Sequence, residues 1–518
     1  MKGFFEKLFS KIENDDGNIF GYVFSLFFVI TLRNIIEFYI TKSYFGLDFY
    51  ALFHTYSFFY AIIFTLIFVI FIFVRGRLLD VFKTVTFFSL IITTPPIFDY
   101  LINFGVGSNM TYILDKNAVY HNFITFFGGL NNTGVSYGMK LEIIFAIISS
   151  FSYGYFYKKI SFLRSIFLSF SIYLVFFIFA IYPVFIQEIL QFFGMYYNSG
   201  NIFLVQNFVI ILFVFQILFF YFSDKRFFST LLKDSRLSRQ LHFILFMVIG
   251  FFIGLYSKDT NMLNLKILHD SSYLFGLLTS VISLVYGIYF SIVSNNFIDI
   301  DIDMISNKDR PLVLDSKLDK RKYLLFGIIS LLLSFIYGSA AGNNTLFLII
   351  LFIGNYFIYS MPPFRLKRVP FFSKMTISFN TFVTCLIGFS ITNPDLKSFP
   401  IILAIFIIIG FLFVIQFIDI KDYEGDKKNG INTISVILGL ELSKKIIGWF
   451  FIGLYLLAGI FLKDIIMLVL CLAFGFINYY LINKPVYREG VIFTNYQISL
   501  VLLLAYLIYF PMKIGYFY

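Results

Sequence analysis

The chain has 518 residues, 59% of them hydrophobic and 22% aromatic, with only 13% charged. That balance excludes a soluble globular protein, and the formal net charge of +11 suggests nucleic acid only until the charges are placed along the chain. Apolar runs of roughly 18 to 24 residues recur from end to end, each long enough to cross a hydrocarbon core about 30 Å thick. Only helices and closed barrels span lipid, and barrel-like alternation is missing. The expected fold class is therefore an all-α, polytopic membrane protein.

In chain order, six spans are expected near 18–40, 51–74, 84–104, 139–157, 163–192 and 202–222. The first is too long for a signal-peptide core and lacks a small-residue cleavage site, so it reads as a retained span. Arg33 and Glu37, four apart within it, are placed to pair along one helix face. Pro95, Pro96 and Asp99 suggest a kink held by packing, and the stretch 105–138, rich in Gly and Asn, suggests a loop able to act as a lid. Sequons at Asn109 and Asn131 matter only in a eukaryotic secretory pathway. Nothing in this half identifies a function.

The stretch SDKRFFSTLLKDSRLSRQL, Ser223 to Leu241, breaks the composition and marks a boundary. It divides an N-terminal membrane domain (1–222) from a basic cytosolic linker (223–241) and a second membrane domain (242–518). Nine spans are expected in the last, near 242–257, 271–294, 323–340, 345–361, 375–392, 400–418, 444–461, 465–482 and 494–511. Most of the 40 Lys and Arg fall in alternate loops, the asymmetry of the positive-inside rule. The N-terminus and the basic loops are thus expected in the cytosol, the C-terminus outside, and nucleic acid is not an expected partner. Cys385 and Cys471 lie in apolar runs and offer neither a disulfide framework nor a metal spacing.

Two acidic clusters carry the chemistry. NNFIDIDIDMISNKDRPL, Asn295 to Leu312, follows directly on an apolar run. At about 100° per residue, Asn295, Asp299 and Asp303 share one helix face, whereas Asp301 falls on the other side. A calcium loop is excluded, because Met304 stands where its Gly is needed and Arg310 where its Glu is needed. DIKDYEGDKKNG, Asp419 to Gly430, follows a second apolar run, and Asp419, Asp422 and Asp426 again share a face. Carboxylate rows at the membrane boundary repel one another unless a cation sits between them. Mg²⁺, a hard ion usually held by carboxylates and phosphate oxygens, is the natural candidate. Arg310, and Arg365 and Lys367 in YSMPPFRLKR, stand beside these rows with side chains suited to phosphate. A charged head with a long apolar tail, such as a polyprenyl diphosphate, suits such a place in the bilayer.

These residues resemble the UbiA superfamily of intramembrane prenyltransferases. The first motif, N-D-x-x-D-x-x-x-D followed by D-R-P, is similar to Asn295, Asn296, Asp299, Asp303 and Asp309-Arg310-Pro311. The second is similar to Asp419, Asp422 and Asp426 with Gly425 and Gly430, and the Y-S-x-P-P-x-R-x-K loop to Tyr359, Ser360, Pro362, Pro363, Arg365 and Lys367. The resemblance covers about 241–518 and leaves the N-terminal spans without a family. Asn296 departs from it, standing where the family commonly has Asp.

The resemblance implies a nine-helix prenyltransferase bundle and Mg²⁺ held by Asn295, Asp299, Asp303, Asp419, Asp422 and Asp426. Of these, Asp299, Asp303, Asp422 and Asp426 carry catalysis. Diphosphate contacts come from Arg310, Arg365 and Lys367. The implied reaction is transfer of a prenyl group from a polyprenyl diphosphate to a small acceptor, an aromatic quinone precursor or a glycerol-linked lipid, at the cytosolic face of a prokaryotic plasma membrane. The alternative is a transporter or lipid-binding module that couples cations through the same acidic clusters, which predicts mid-span charge and interrupted helices.

Overall fold

A computed structural model describes residues 2–17, 19–41, 48–129, 135–196, 200–257, 269–300, 303–304, 310–314, 318–369, 371–428 and 430–509. Asn131, Asp301, Lys308 and Asp309 lie outside the described residues. Among the described residues all regular structure is helical apart from one isolated bridge between Tyr196 and Asp270. Among the described residues fourteen helices are long and apolar enough to cross a membrane, and the protein is an integral membrane protein. The chain forms two compact units, one of residues 1–228 with 269–272, the other of 229–268 with 273–518.

The first unit contains five of those helices, Gly21–Thr41, Phe49–Val74, Leu78–Ile102, Phe162–Ala180 and Asn201–Ser223. The remaining expected span, near 139–157, is the helix Tyr137–Ser152 running into a π turn, Tyr153–Tyr157. The expected span 163–192 divides at Ile181, because Pro183 cannot supply the next backbone N–H and instead opens a new helix, Tyr182–Phe192. Pro95 and Pro96 likewise begin the helix Thr94–Ile102 after a 3₁₀ stretch, Ser89–Thr93, which bends the span. Gly138 packs so closely on this segment that a Cβ would lie 2.3 Å from the Pro95 carbonyl oxygen, and Asp99 Oδ1 accepts the Gly138 N–H at 2.8 Å. The core is aromatic, built around Phe58, Phe82, Phe179 and Phe208. Arg33 and Glu37 pair as the spacing predicts, with the guanidinium 4.8 Å from the centre of the Phe59 ring.

The basic stretch is itself helical, Lys225–Asp234, and leads into the first span of the second unit, Leu237–Ser257. Eight further spans follow: Ser271–Ile298, Lys320–Ala341, Asn343–Ser360, Phe372–Thr392, Ile401–Lys428, Leu440–Leu462, Ile465–Ile482 and Glu489–Tyr509. In lipid, helices associate by close packing and polar bridges rather than by hydrophobic exclusion. Leu237–Ser257 and Phe372–Thr392 touch backbone to backbone. A Cβ on Gly250 would lie 1.8 Å from the Cys385 oxygen, and one on Gly388 1.7 Å from the Met247 oxygen. Buried His242 ties the same pair to the last span, facing Thr381 Oγ1 at 2.9 Å and the Tyr496 hydroxyl at 3.0 Å. Ser283 and Ser334 each donate to the other's carbonyl, at 2.6 and 2.7 Å, and lock Ser271–Ile298 to Lys320–Ala341.

Candidate active site

The helix Ser271–Ile298 carries the first acidic row, and its hydrogen-bond pattern runs past its last apolar turn. The Asp299 N–H donates to the Asn295 carbonyl at 2.9 Å and the Asp303 N–H to the Asp299 carbonyl at 2.8 Å. Both bonds have the i to i−4 spacing of an α-helix, so Asn295, Asp299 and Asp303 take the common face expected of them. Asp299 and Asp303 are buried. Asn295 Oδ1 accepts from Ser360 Oγ at 3.0 Å.

Two of the expected diphosphate contacts meet this row. Arg365 Nη2 lies 3.1 Å from Asp299 Oδ1, and the Lys367 ammonium bonds the same oxygen. Arg365 is held in left-handed backbone conformation, φ 43°, which is costly for a residue with a side chain and is found where surrounding structure enforces it. Burial pulls the Lys367 ammonium below its ordinary 10.5, opposed by the Asp299 carboxylate.

The second row starts where the span Ile401–Lys428 leaves a 3₁₀ turn, Ile415–Ile418, and continues as Asp419–Lys428. Asp419 is buried and its Oδ1 accepts from the Lys374 ammonium. Asp426 lies within the electrostatic reach of Asp419, Asp422 and Lys374. A cavity of about 150 Å³ opens beside Asp419, lined by Phe371, Ser373, Gln416 and Thr433 among others. Tyr359, from the motif between the two rows, lies within electrostatic reach of both Asp299 and Asp419.

Among the described residues no three Asp, Glu, His or Cys side chains close on one point as a metal shell would; each row is instead neutralised by the lysine or arginine facing it. The second row nonetheless retains unused acceptors. Asp419 Oδ2 and Asp422 Oδ1 are buried without a hydrogen-bond partner, and so are the donors Arg236 Nε, Arg310 Nε and Arg365 Nε.

The sequence reading missed one cluster. Asp234, at the end of the basic helix, accepts from Asn296 Nδ2 at 3.0 Å and from the Tyr323 hydroxyl. Arg236 Nη2 donates to Asn296 Oδ1 at 2.9 Å, and Arg310 Nη1 is 4.0 Å from Asp234 Oδ1. Burial raises the Asp234 carboxyl above its usual range, opposed by the Tyr323 hydrogen bond and by Arg236. Burial also pulls the Arg236 guanidinium down to about 10, which leaves it charged at neutral pH. Asn296, the one departure from the motif, thus faces a carboxylate delivered from another element. Arg310 takes part in this cluster and, unlike Arg365 and Lys367, is not bonded to Asp299. Lys374 was likewise missed, although a lysine opening the helix Phe372–Thr392 is a sequence-visible partner for an acidic row.

Fold and site together define an α-helical integral membrane protein with a buried, charge-rich centre at the ends of its spans. Residues 266–489 match the UbiA prenyltransferase family. Over 150 residues the chain is 25% identical to digeranylgeranylglyceryl phosphate synthase of Pyrococcus horikoshii, covering 29% of this chain and 52% of that protein. Over 180 residues it is 29% identical to chloroplastic naringenin 8-dimethylallyltransferase 2 of Sophora flavescens, covering 32% and 44%. The chain therefore spans about half the length of these curated relatives. A UbiA homolog from Archaeoglobus fulgidus, solved bound to GPP and Mg²⁺, superposes with a TM-score of 0.43 at 23% identity, over 54% of this chain and 97% of that one.

Proposed function

We propose that the second unit transfers a prenyl group from a polyprenyl diphosphate to a small acceptor with the help of Mg²⁺. The observation that carries this reading is a matched pair of deficits: buried carboxylate oxygens on Asp419 and Asp422, and buried guanidinium Nε donors on Arg310 and Arg365, all without partners. Buried polar groups are rarely left so. A ligand bringing cations and anionic oxygens together satisfies both sets at once, and a metal diphosphate has that composition.

Asn295, Asp299, Asp303, Asp419, Asp422 and Asp426 would hold the ion, an all-oxygen donor set of the kind Mg²⁺ accepts. When bound, Mg²⁺ stabilises negative charge on the departing diphosphate. Arg365, Lys367 and Arg310 bind the phosphate oxygens, Arg through its planar fork and Lys as a point charge. The allylic C–O bond breaks with its electron pair going to the diphosphate, and the acceptor's nucleophilic atom forms the new bond and gives up a proton. Phe243, Phe352 and Tyr356 are in mutual ring contact and Tyr356 also meets the Tyr359 ring, so this aromatic cluster would help to keep water from the reacting carbon. The names of the relatives divide between a glyceryl phosphate and naringenin, and the acceptor proposed here is a glycerol-linked lipid or an aromatic quinone precursor. The placement of the basic loops supports a cytosolic site and N-terminus in a prokaryotic plasma membrane.

Purified protein given radiolabelled geranylgeranyl diphosphate, Mg²⁺ and a panel of both acceptor classes is expected to release pyrophosphate and form a labelled lipid product. Asp299→Ala and Asp422→Ala, with folding retained, are expected to abolish both. Unchanged turnover in either variant sinks the assignment of that row.

A further inference from the structure

The first unit contains a partly open cavity of about 550 Å³. Packed protein interiors leave few voids larger than a water molecule, and this volume lies in the range of small-molecule pockets. Its charged groups, Arg33, Glu37 and Glu142, gather at one end. There Arg33 pairs with Glu37, Glu37 Oε1 accepts the Met110 N–H at 3.1 Å, and His54 Nε2 lies 2.7 Å from the Tyr112 hydroxyl. Glu142, buried, lines the same cavity within electrostatic reach of Arg33. Asn34 also lines it, and its amide nitrogen is buried with no hydrogen-bond partner.

From Thr55 to Ile70 the lining follows the helix Phe49–Val74 for about 22 Å at 1.5 Å per residue. Along this shaft the walls are apolar, with Ile62, Ile63, Leu66 and Ile70 facing Phe88 and Phe176. The hydroxyls near the far end are already engaged: Ser89 donates to the Thr86 carbonyl, Ser150 to the Ile147 carbonyl and Tyr153 to Glu13. The cavity therefore carries its charged groups at one end, is greasy along its length, and at the charged end offers the Asn34 amide as an unused donor.

The charges there select the head. The one guanidinium among the lining residues, Arg33, is already engaged by Glu37, and a second carboxyl group, Glu142, stands within its reach, so an anionic head would find no free cation in a low-dielectric setting. We infer that this cavity binds an uncharged amphiphile, its hydroxyl or carbonyl head bonded to Asn34 and its apolar tail laid along the shaft. The Glu142 carboxylate accepts from the head where it carries a hydroxyl. This site is independent of the transfer reaction proposed for the second unit.

The test is photolabelling of the full chain in nanodiscs with a diazirine-bearing geranylgeraniol, with labelled peptides mapped by mass spectrometry. Label is expected within Phe49–Val74 and Tyr137–Ser152, displaced by unlabelled geranylgeraniol and about tenfold or more weakly by geranylgeranyl diphosphate. Asn34→Leu, and separately Ala146→Phe to narrow the shaft, are expected to reduce it. Competition by dioleoylglycerol also supports the inference and assigns the tail to an acyl lipid. Label confined to peptides after Ser229, or displacement by the diphosphate as strong as by the alcohol, overturns it, and both outcomes are read on the wild-type chain whether or not the variants fold.

Discussion

Removing the Asp234 carboxylate strands several partners at once: the Asn296 amide, the Tyr323 hydroxyl and the nearby Arg310. Its side chain is 2% exposed, and breaking a buried charge cluster by deleting one member costs about 3–5 kcal/mol. Asp234→Ala is therefore expected to lower the midpoint of thermal unfolding in detergent markedly. Asn296→Asp is also expected to destabilise, by placing two buried carboxylates face to face. The exchange Asp234→Asn with Asn296→Asp restores one carboxylate and one amide, and is expected to recover most of the loss; a double variant no better than either single one refutes the pairing. Lys367 gives a prediction read in pH. An acidic or neutral medium keeps its ammonium charged, and because burial lowers its pKa below 10.5, the charge is lost earlier on the alkaline side than for an exposed lysine. The KM for the prenyl diphosphate is expected to rise with pH before 10.5 is reached, and Lys367→Arg to shift that limb upward. The sign for stability is opposite: the unfolded chain binds the extra proton between the folded pKa and 10.5, so across that window the fold gains stability as pH rises. A KM flat up to pH 10 excludes Lys367 as a contact.

Among the elements, the helix pair Leu237–Ser257 and Phe372–Thr392 sets how closely the second unit can pack. Gly388→Ala puts a Cβ where the Met247 carbonyl oxygen now sits, and the helices must separate, at a cost of about 1–3 kcal/mol. Gly453→Ala, where no atom lies within 4 Å of the new Cβ, is expected to be silent. Equal unfolding midpoints for the two variants would show that the crossing tolerates slack. Long apolar runs made the spans of this unit legible, and so did the face shared by Asn295, Asp299 and Asp303, since both rest on periodicity alone. The glycine crossing was not legible, because a Gly in an apolar run carries no sign of which backbone approaches it. Pro183 was visible, yet only its place at a helix start shows that it divides a span rather than bending it. Asp234 was hidden by its surroundings: one acid in a basic stretch reads as solvated, and only the fold brings it to Asn296.

At the scale of the whole molecule, the boundary suggested by composition and the boundary of the compact units differ by a few residues that matter. The polar stretch ends at Leu241, but the second unit begins at Ser229 and so includes Asp234 and Arg236, whose partners Asn296, Tyr323 and Arg310 belong to the same unit. Two truncations separate these readings. A fragment beginning at Ser229 keeps the Asp234 cluster and both acidic rows, and is expected to fold in detergent and to carry out the proposed transfer on its own. A fragment beginning at Leu241 keeps both rows and all three proposed diphosphate contacts but leaves Asn296, Tyr323 and Arg310 without Asp234. It is expected to unfold at lower temperature and to lose most activity. If the shorter fragment matches the longer in both measurements, the helix Lys225–Asp234 is a tether. If neither turns over while the full chain does, the first unit contributes to catalysis, and the lipid cavity it contains becomes the first place to look for that contribution.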